Sequence, residues 1–235
     1  MPPVMPAGPE ALAAALAAID RGELVIVPHA TNYNVVCDAD RADAVDAVFR
    51  AKRRVKLGPL PLCLPDADAV DRYVDVPAWF NREALRALWP GEVCFVFWQK
   101  HPFPARLTCG LRTVAVTVTS EPFYAALARA SGRALASSSA NLSGTARGRV
   151  GLAQALEDLG EHVALAVDGG DPAHLDAPPA NTIVDLTFDR PFLVRPGAVS
   201  TARVREFLPN LDTDVEAYQR RFAARATEPY LAQAS

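Results

Sequence analysis

Apolar positions along the chain fall into short runs with two different periods, and their interleaving sets the expected fold. Leu24 to Val27 is an unbroken apolar run between Gly22 and Pro28, as in a buried strand. Val93 to Trp98 is longer and equally apolar, which predicts a central strand buried on both faces. Thr113 to Val118 alternates with β-branched residues and reads as another strand. Leu60 to Leu64, Ala134 to Ala136, Val163 to Val167, Thr182 to Leu186 and Phe192 to Val194 read the same way. Segments with helical spacing stand between them. Glu10 to Asp20 follows Pro9 and stops at Gly22. A second helix, with Asp40 as N-cap, runs through Lys52 and puts Val45, Val48, Phe49 and Lys52 on one face. Asn81 to Leu88, Pro122 to Ala130 and Gly151 to Leu159 are further helices, and Val215, Tyr218 and Phe222 mark one in the tail. Strands and helices mix throughout, so the class is α/β: one domain over residues 10–208 and a short helical tail over 209–235.

Composition narrows the function classes. Half of the 235 residues are hydrophobic and 22% are charged, which excludes a disordered chain and supplies a packed core. The formal net charge is −3, so any nucleic-acid surface would be a local patch. No apolar run nears the roughly 18 residues of a membrane span. No Lys or Arg precedes Arg21, so no secretory leader is expected. Cys37, Cys63, Cys94 and Cys109 form no C-x-x-C pair and read as structural thiols of a reducing, cytoplasmic compartment. The four histidines lack metal-ligand spacing, so no metal held by the protein is expected. Walker, G-x-G-x-x-G and G-x-S-x-G patterns are all missing, which argues against P-loop, Rossmann and α/β-hydrolase chemistry.

Four segments could carry chemistry. Lys52, Arg53, Arg54 and Lys56 crowd a helix end before Gly58-Pro59; such a cluster suits polyphosphate, and equally a solvated helix C-terminus. Ser137 to Gly144 follows a strand as a loop of small hydroxyl and amide residues, which suits phosphate oxygens or a plain turn. Arg195-Pro196-Gly197 ends a strand. Pro28 to Asn34 reads as a polar loop directly after one, where α/β sheets build sites.

Taken in order, these segments resemble the YrdC/YciO-type family, which includes threonylcarbamoyl-adenylate synthases. Ser139-Ala140-Asn141-Leu142-Ser143-Gly144 is similar to its S-A-N-x-S-G signature. Lys52-x-Arg54, then Pro59-Leu60 after four residues, resembles its K-x-R-x-x-x-x-P-L segment. Trp89-Pro90-Gly91, Asp168-Gly169-Gly170, Asn181 to Asp185 and Arg195-Pro196-Gly197 match further family turns and strands over about residues 10 to 200. The resemblance implies a single YrdC-like domain, with a twisted mixed sheet flanked by helices around a concave, positively charged groove. It implies ATP and Mg²⁺, with threonine or another amine and bicarbonate converted to a carbamoyl-adenylate and pyrophosphate for tRNA modification at A37. Lys52, Arg54, Ser139 and Asn141 would be catalytic and hold the nucleotide, with Ser137, Ser143, Asn181 and Arg195 supporting the phosphates. His29, Thr31, Tyr33 and Thr117 would line the substrate pocket.

The chain also departs from the pattern. His29, Ala30 and Asn34 stand where the family's P-T-D-T-x-Y-G-L motif has Thr, Asp and Gly, and Thr117 stands where a strand usually carries Arg. The loss of an Asp and an Arg together implies weak use of a zwitterionic amino acid such as threonine. A non-catalytic relative that binds double-stranded RNA or tRNA through the same groove is the alternative these departures leave open.

Overall fold

Strand register decides which side chains meet helices and which meet open space. The computed structural model describes residues 1–53, 58–145, 148–170, 178 and 180–226. Among these the strands are β1 (Val4–Pro6), β2 (Val25–Pro28), β3 (Tyr33–Asp38), β4 (Leu62–Cys63), β5 (Val74–Asp75), β6 (Val93–Gln99), β7 (Thr113–Thr117), β8 (Leu135–Ser139), β9 (Leu165–Asp168), β10 (Thr182–Asp185) and β11 (Phe192–Arg195). The helices are α1 (Pro9–Asp20), α2 (Ala42–Ala51), α3 (Val70–Tyr73), α4 (Glu83–Leu88), α5 (Ala105–Thr108), α6 (Pro122–Ser131), α7 (Leu152–Leu159), α8 (Thr201–Arg205) and α9 (Val215–Ala226). The strands form one mixed sheet in the order β1-β9-β2-β3-β8-β4-β7-β6-β10-β11, with β5 paired to β6. The expected α/β class and mixed sheet are what the chain adopts.

Each face of the sheet has its own core. On one face Val25, Val27, Val36, Cys63 and Leu135 pack against α1 and α6 through Ala11, Ala15, Ile19, Phe123 and Leu127. On the other, Val35, Leu62, Phe95, Phe97, Val116 and Val184 meet Val45, Val48 and Phe49 of α2 and Leu85 and Leu88 of α4. Because side chains alternate along a strand, Phe95 and Phe97 fix the orientation of their neighbours. Cys94 and Val96 of β6 point the other way, as do Thr113, Ala115 and Thr117 of β7 and Ile183 and Asp185 of β10. Helices α1 and α6 cover only the β2–β3–β8 half of that face, so these residues border open space.

Four expectations are corrected here. The N-cap of α2 is Arg41, not Asp40. Asp38 takes up the turn instead: its Oδ1 accepts from the Asp40 N–H at 3.0 Å, and its Oδ2 pairs with Arg133 at 2.7 Å. Ser137 to Ser139 belong to β8 and pair with Asn34 to Val36 of β3. The backbone ladder to β3 holds these hydroxyl residues extended, and on the other side Ser137 N donates to Pro61 O at 2.9 Å just before β4. Pro28 to Asn34 is the tip of a hairpin, in which Pro28 faces Tyr33, and not a free loop. Strand β3 itself escapes the sequence pattern because Asn34 and Asp38 interrupt its apolar run. Finally, β6 is buried by helices on one face only. Among the described residues no helix is long and apolar enough to cross a membrane.

The turn after β11 folds tightly onto β10. A methyl on Gly197 would lie 2.5 Å from Ala180 O, Asn181 C and Thr182 N, all of them backbone atoms. Gly197→Ala should therefore lower the unfolding free energy by about 1–3 kcal/mol, read as a lower urea midpoint at unchanged slope. An unmoved midpoint would mean that this close approach carries no strain.

Candidate functional site

The uncovered half of the sheet face forms the floor of a cavity of about 920 Å³. Its polar rim comes from five separate chain segments: His29, Thr31 and Asn32 in the hairpin tip, Lys52 after α2, Ser137 to Ser143 from β8 onward, Asn181 before β10, and Arg195 at the end of β11. Ten of the twelve residues expected in the site line it: Lys52, Ser137, Ser139, Asn141, Ser143, Asn181, Arg195, His29, Thr31 and Thr117. Arg54 lies outside the described residues. Tyr33 is elsewhere. Its fully buried side chain donates to Gly170 O at 2.7 Å and accepts from Gly169 N at 3.1 Å. It therefore fastens the Asp168-Gly169-Gly170 turn to the hairpin rather than contacting a ligand in the cavity, which corrects the substrate-pocket expectation.

Lys52 organises the loop after β8. Only 3% of it is exposed. Its ammonium donates to Ser139 O and, at 2.6 Å, to Asn141 O. Its own carbonyl accepts from Ser143 N at 3.0 Å. A buried ammonium without such partners would be strongly disfavoured, so these carbonyls compensate its desolvation. Within the loop, Ser139 Oγ donates to Asn141 Oδ1 at 2.7 Å, and Asn141 Nδ2 donates to Leu142 O at 2.7 Å. On the far side, the Arg195 guanidinium holds Asn181 O at 3.0 and 3.2 Å, and Asn181 Nδ2 reaches Cys94 Sγ at 3.5 Å. Burial pushes the Cys94 thiol up to about 11, which keeps it unreactive.

Thr117 donates to Val93 O at 2.9 Å, so its hydroxyl serves the turn that opens β6. His29 is 5% exposed and stands 3.1 Å from Glu92, which is itself buried. Burial lowers the proton affinity of His29 below the ordinary 6.5, against the opposing pull of Glu92. Residues that sequence reasoning left out also line the cavity. Tyr218 and Phe222 of α9 reach over it, and Tyr218 donates to Asp185 Oδ2 at 3.2 Å. Their i, i+4 spacing was visible as a helix face, but nothing in the sequence said what that face covers. Glu92 follows Trp89-Pro90-Gly91 and had no signal of its own. Among the described residues no three His, Cys, Asp or Glu side chains gather as a metal site.

Residues 17–197 match the family model Sua5/YciO/YrdC, described as telomere recombination. The chain belongs to this family. Within the Sua5/YciO/YrdC family, threonylcarbamoyl-AMP synthase of Mus musculus is 34% identical over 192 residues, covering 80% of this chain and 67% of that one. A putative threonylcarbamoyl-AMP synthase of Mycobacterium tuberculosis is 36% identical over 197 residues, covering 84% and 88%. A solved P. abyssi Sua5 variant superposes with TM-score 0.82 at 25% identity, over 93% of this chain and 63% of its own. This chain therefore spans about two thirds of the Sua5 length. E. coli YciO, at 22% identity and TM-score 0.72 over 87% and 100%, shares the fold.

Two outcomes follow from this geometry. Lys52→Met should destabilise the ligand-free protein by about 1.5–3 kcal/mol, because a buried and a part-buried carbonyl lose a charged donor. Equal urea midpoints for the variant and the parent would leave Lys52 no structural role. For His29, the unfolded chain binds more protons wherever its affinity exceeds the folded one. Its contribution to stability is thus complete above 6.5 and is lost as the pH falls below that value. Between about pH 7.5 and about pH 5.5 the urea midpoint of the parent should fall more steeply than that of His29→Asn. Parallel profiles would contradict the burial of a neutral imidazole.

Proposed function

We propose that the protein forms a carbamoyl-adenylate: ATP, bicarbonate and an amino acid yield the N-carboxylated amino acid joined to AMP, with release of pyrophosphate and water. The observation that carries this reading is the convergence of Lys52, Ser139, Asn141, Asn181 and Arg195 on one cavity, in the part of the chain that aligns with relatives named threonylcarbamoyl-AMP synthase. One P. abyssi Sua5 structure, 24% identical, is described as complexed with L-threonine. In this reading a carboxylate oxygen of the carbamate attacks the α-phosphorus, and the bond to pyrophosphate breaks. Hydroxyl, amide and guanidinium donors already fixed around the cavity would stabilise charge on the phosphoryl oxygens and the leaving group. Lys52 would act through the loop it holds. Arg53 and Arg195 supply positive charge on the wall. Mg²⁺ would enter with the ATP phosphates, since no cluster of carboxylates among the described residues offers it a protein-built cage.

The amino-acid end of the cavity is the part that differs. His29, Ala30 and Thr117 replace the family's Thr, Asp and Arg, and Thr117 turns its hydroxyl proton to the backbone. Threonine is therefore proposed as a weak substrate within a wider set of amines. The product would feed the modification of tRNA at A37, with tRNA the downstream acceptor of the group.

Pyrophosphate release from ATP and bicarbonate, measured across a panel of amino acids and simple amines, tests this reading. Bicarbonate-dependent release should appear, with the adenylate seen by mass spectrometry. Arg195→Ala should reduce kcat/KM by about one to two decades. Absence of bicarbonate-dependent release with every amine would overturn the assignment.

A further inference from the structure

Helix α9 lies beyond residues 17–197, the span of the family match, yet two of its side chains border the cavity. Tyr218 and Phe222 stand one turn apart on the same helix face, with ring centres 5.9 Å apart. Tyr218 packs against Phe188 and Phe192, each with its ring centre 6.1 Å away. Its hydroxyl donates to Oδ2 of Asp185, a fully buried residue of the cavity floor. The other Asp185 oxygen accepts from Thr187 N at 2.8 Å and from Thr187 Oγ1 at 2.5 Å. Arg221 pairs with Asp189 at 2.5 Å and lies over the Phe192 ring at 5.3 Å. Every described side chain of α9 is nevertheless exposed or only half-buried, whereas α1, α2 and α6 each sink four or more residues into the core. A helix with so little buried surface opens at a small fraction of the global unfolding free energy.

We infer that α9 is the solvent barrier of the cavity: Tyr218 and Phe222 close the β10–β11 side over the bound carbamoyl-adenylate and keep water from it. The inference rests on the proposed carbamoyl-adenylate reaction and assigns that reaction a part of the chain outside the matched family domain. The floor and the polar rim come from segments between His29 and Arg195, so the groups that bind and polarise the substrates are in place without α9. What those segments leave open is the margin beside Ile183, Val194 and Arg195, and there α9 sets two aromatic rings. The product needs such a barrier, because it is a mixed anhydride of a carbamate and a phosphate. Water can add through its oxygen to the carbamoyl carbon. The bond from that carbon to the phosphate oxygen then breaks, AMP leaves with the electron pair, and the carbamate is returned with a proton lost to solvent. ATP is then spent with nothing activated. Two aromatic side chains are well suited to exclude water, and the Tyr218 hydroxyl on Asp185 fixes where the barrier sits when shut. Few buried contacts let the same helix lift to admit ATP and release product.

The ratio of adenylate to pyrophosphate tests this, because a variant that merely folds less well makes less of both in the same proportion. With enzyme in excess over ATP, and bicarbonate and the best amine of the panel present, the parent should yield nearly equal amounts of the two in one quenched sample. In Phe222→Ala pyrophosphate should still be released, and adenylate per pyrophosphate should fall about fivefold or more, with AMP in its place. Tyr218→Phe, which keeps the ring and loses the donor to Asp185, should lower the ratio in the same direction, and it carries the test if Phe222→Ala does not fold. Gln219→Ala, on the exposed side of the helix, should match the parent. A second reading needs no turnover: ATP with Mg²⁺ should slow hydrogen exchange of the backbone amides of residues 218–224 about tenfold in the parent and much less in Phe222→Ala. An unchanged ratio in the folded variants while the parent turns over overturns the inference, and so does exchange in the parent that ATP leaves unaltered. A parent that releases no pyrophosphate with any amine overturns the proposed function instead, and the shielding role with it.

Discussion

The attachment of Lys52 to the loop after β8 is the interaction on which the rest of the site depends. One residue ends α2, buries its ammonium on the carbonyls of Ser139 and Asn141, and receives Ser143 N on its own carbonyl. The helix end and the loop are thereby one unit although they lie far apart in sequence. Burying a charge is unfavourable unless the partners are already in place. The loop conformation and the position of Lys52 therefore stabilise each other. This explains why a residue with an obvious phosphate-binding appearance makes its strongest contacts with the backbone. Its influence on an anion passes through the geometry of the loop.

The cavity itself comes from incomplete coverage. Helices α1 and α6 bury the β2–β3–β8 half of one sheet face with an apolar core. On the β7–β6–β10 half, the same face carries Thr113, Ala115, Thr117, Cys94, Val96, Ile183 and Asp185. Apart from Val96 and Ile183 these are small or polar, where the opposite face has Phe95, Phe97, Val114 and Val116. A sheet with one dry face and one half-open face needs this asymmetry within each strand, because successive side chains point in opposite directions. Helix α9 then closes the far margin with Tyr218 and Phe222, and the Tyr218 hydroxyl donates to the buried Asp185 carboxylate.

Much of this was legible in the residues. The alternation of β7 and the apolar runs of β2 and β6 identify strands, and the amphipathic face of α2 identifies a helix. The ordered small motifs brought the family into view and, with it, most of the polar residues on the rim of the cavity. What stayed hidden shares one physical cause: its meaning depends on tertiary partners. Strand β3 carries Asn34 and Asp38 where a pattern search wants apolar residues, and its ladder to β8 compensates for them. Tyr33 matches a motif, yet its hydroxyl belongs to the glycine turn and not to the cavity. Glu92 looks like any surface acid until the fold sets it against His29 and Ser120.

Many of the polar groups around the cavity are already engaged with the protein. Asn181 O is held by Arg195, Asn141 by Ser139 and Leu142, Thr117 by Val93, and Thr31 by His29. Donors and acceptors fixed in this way need little reorientation when charge appears beside them, which is the condition for electrostatic stabilisation of a reacting centre. The same engagement limits what each group can offer. An oxygen whose proton is committed to the protein can only receive, and an amide whose donor is committed can only accept with what remains. Selectivity in such a cavity follows less from which residue types line it than from which way their hydrogens point. Two homologous sites with the same Thr or Asn can therefore favour different ligands when a buried neighbour turns one hydrogen around.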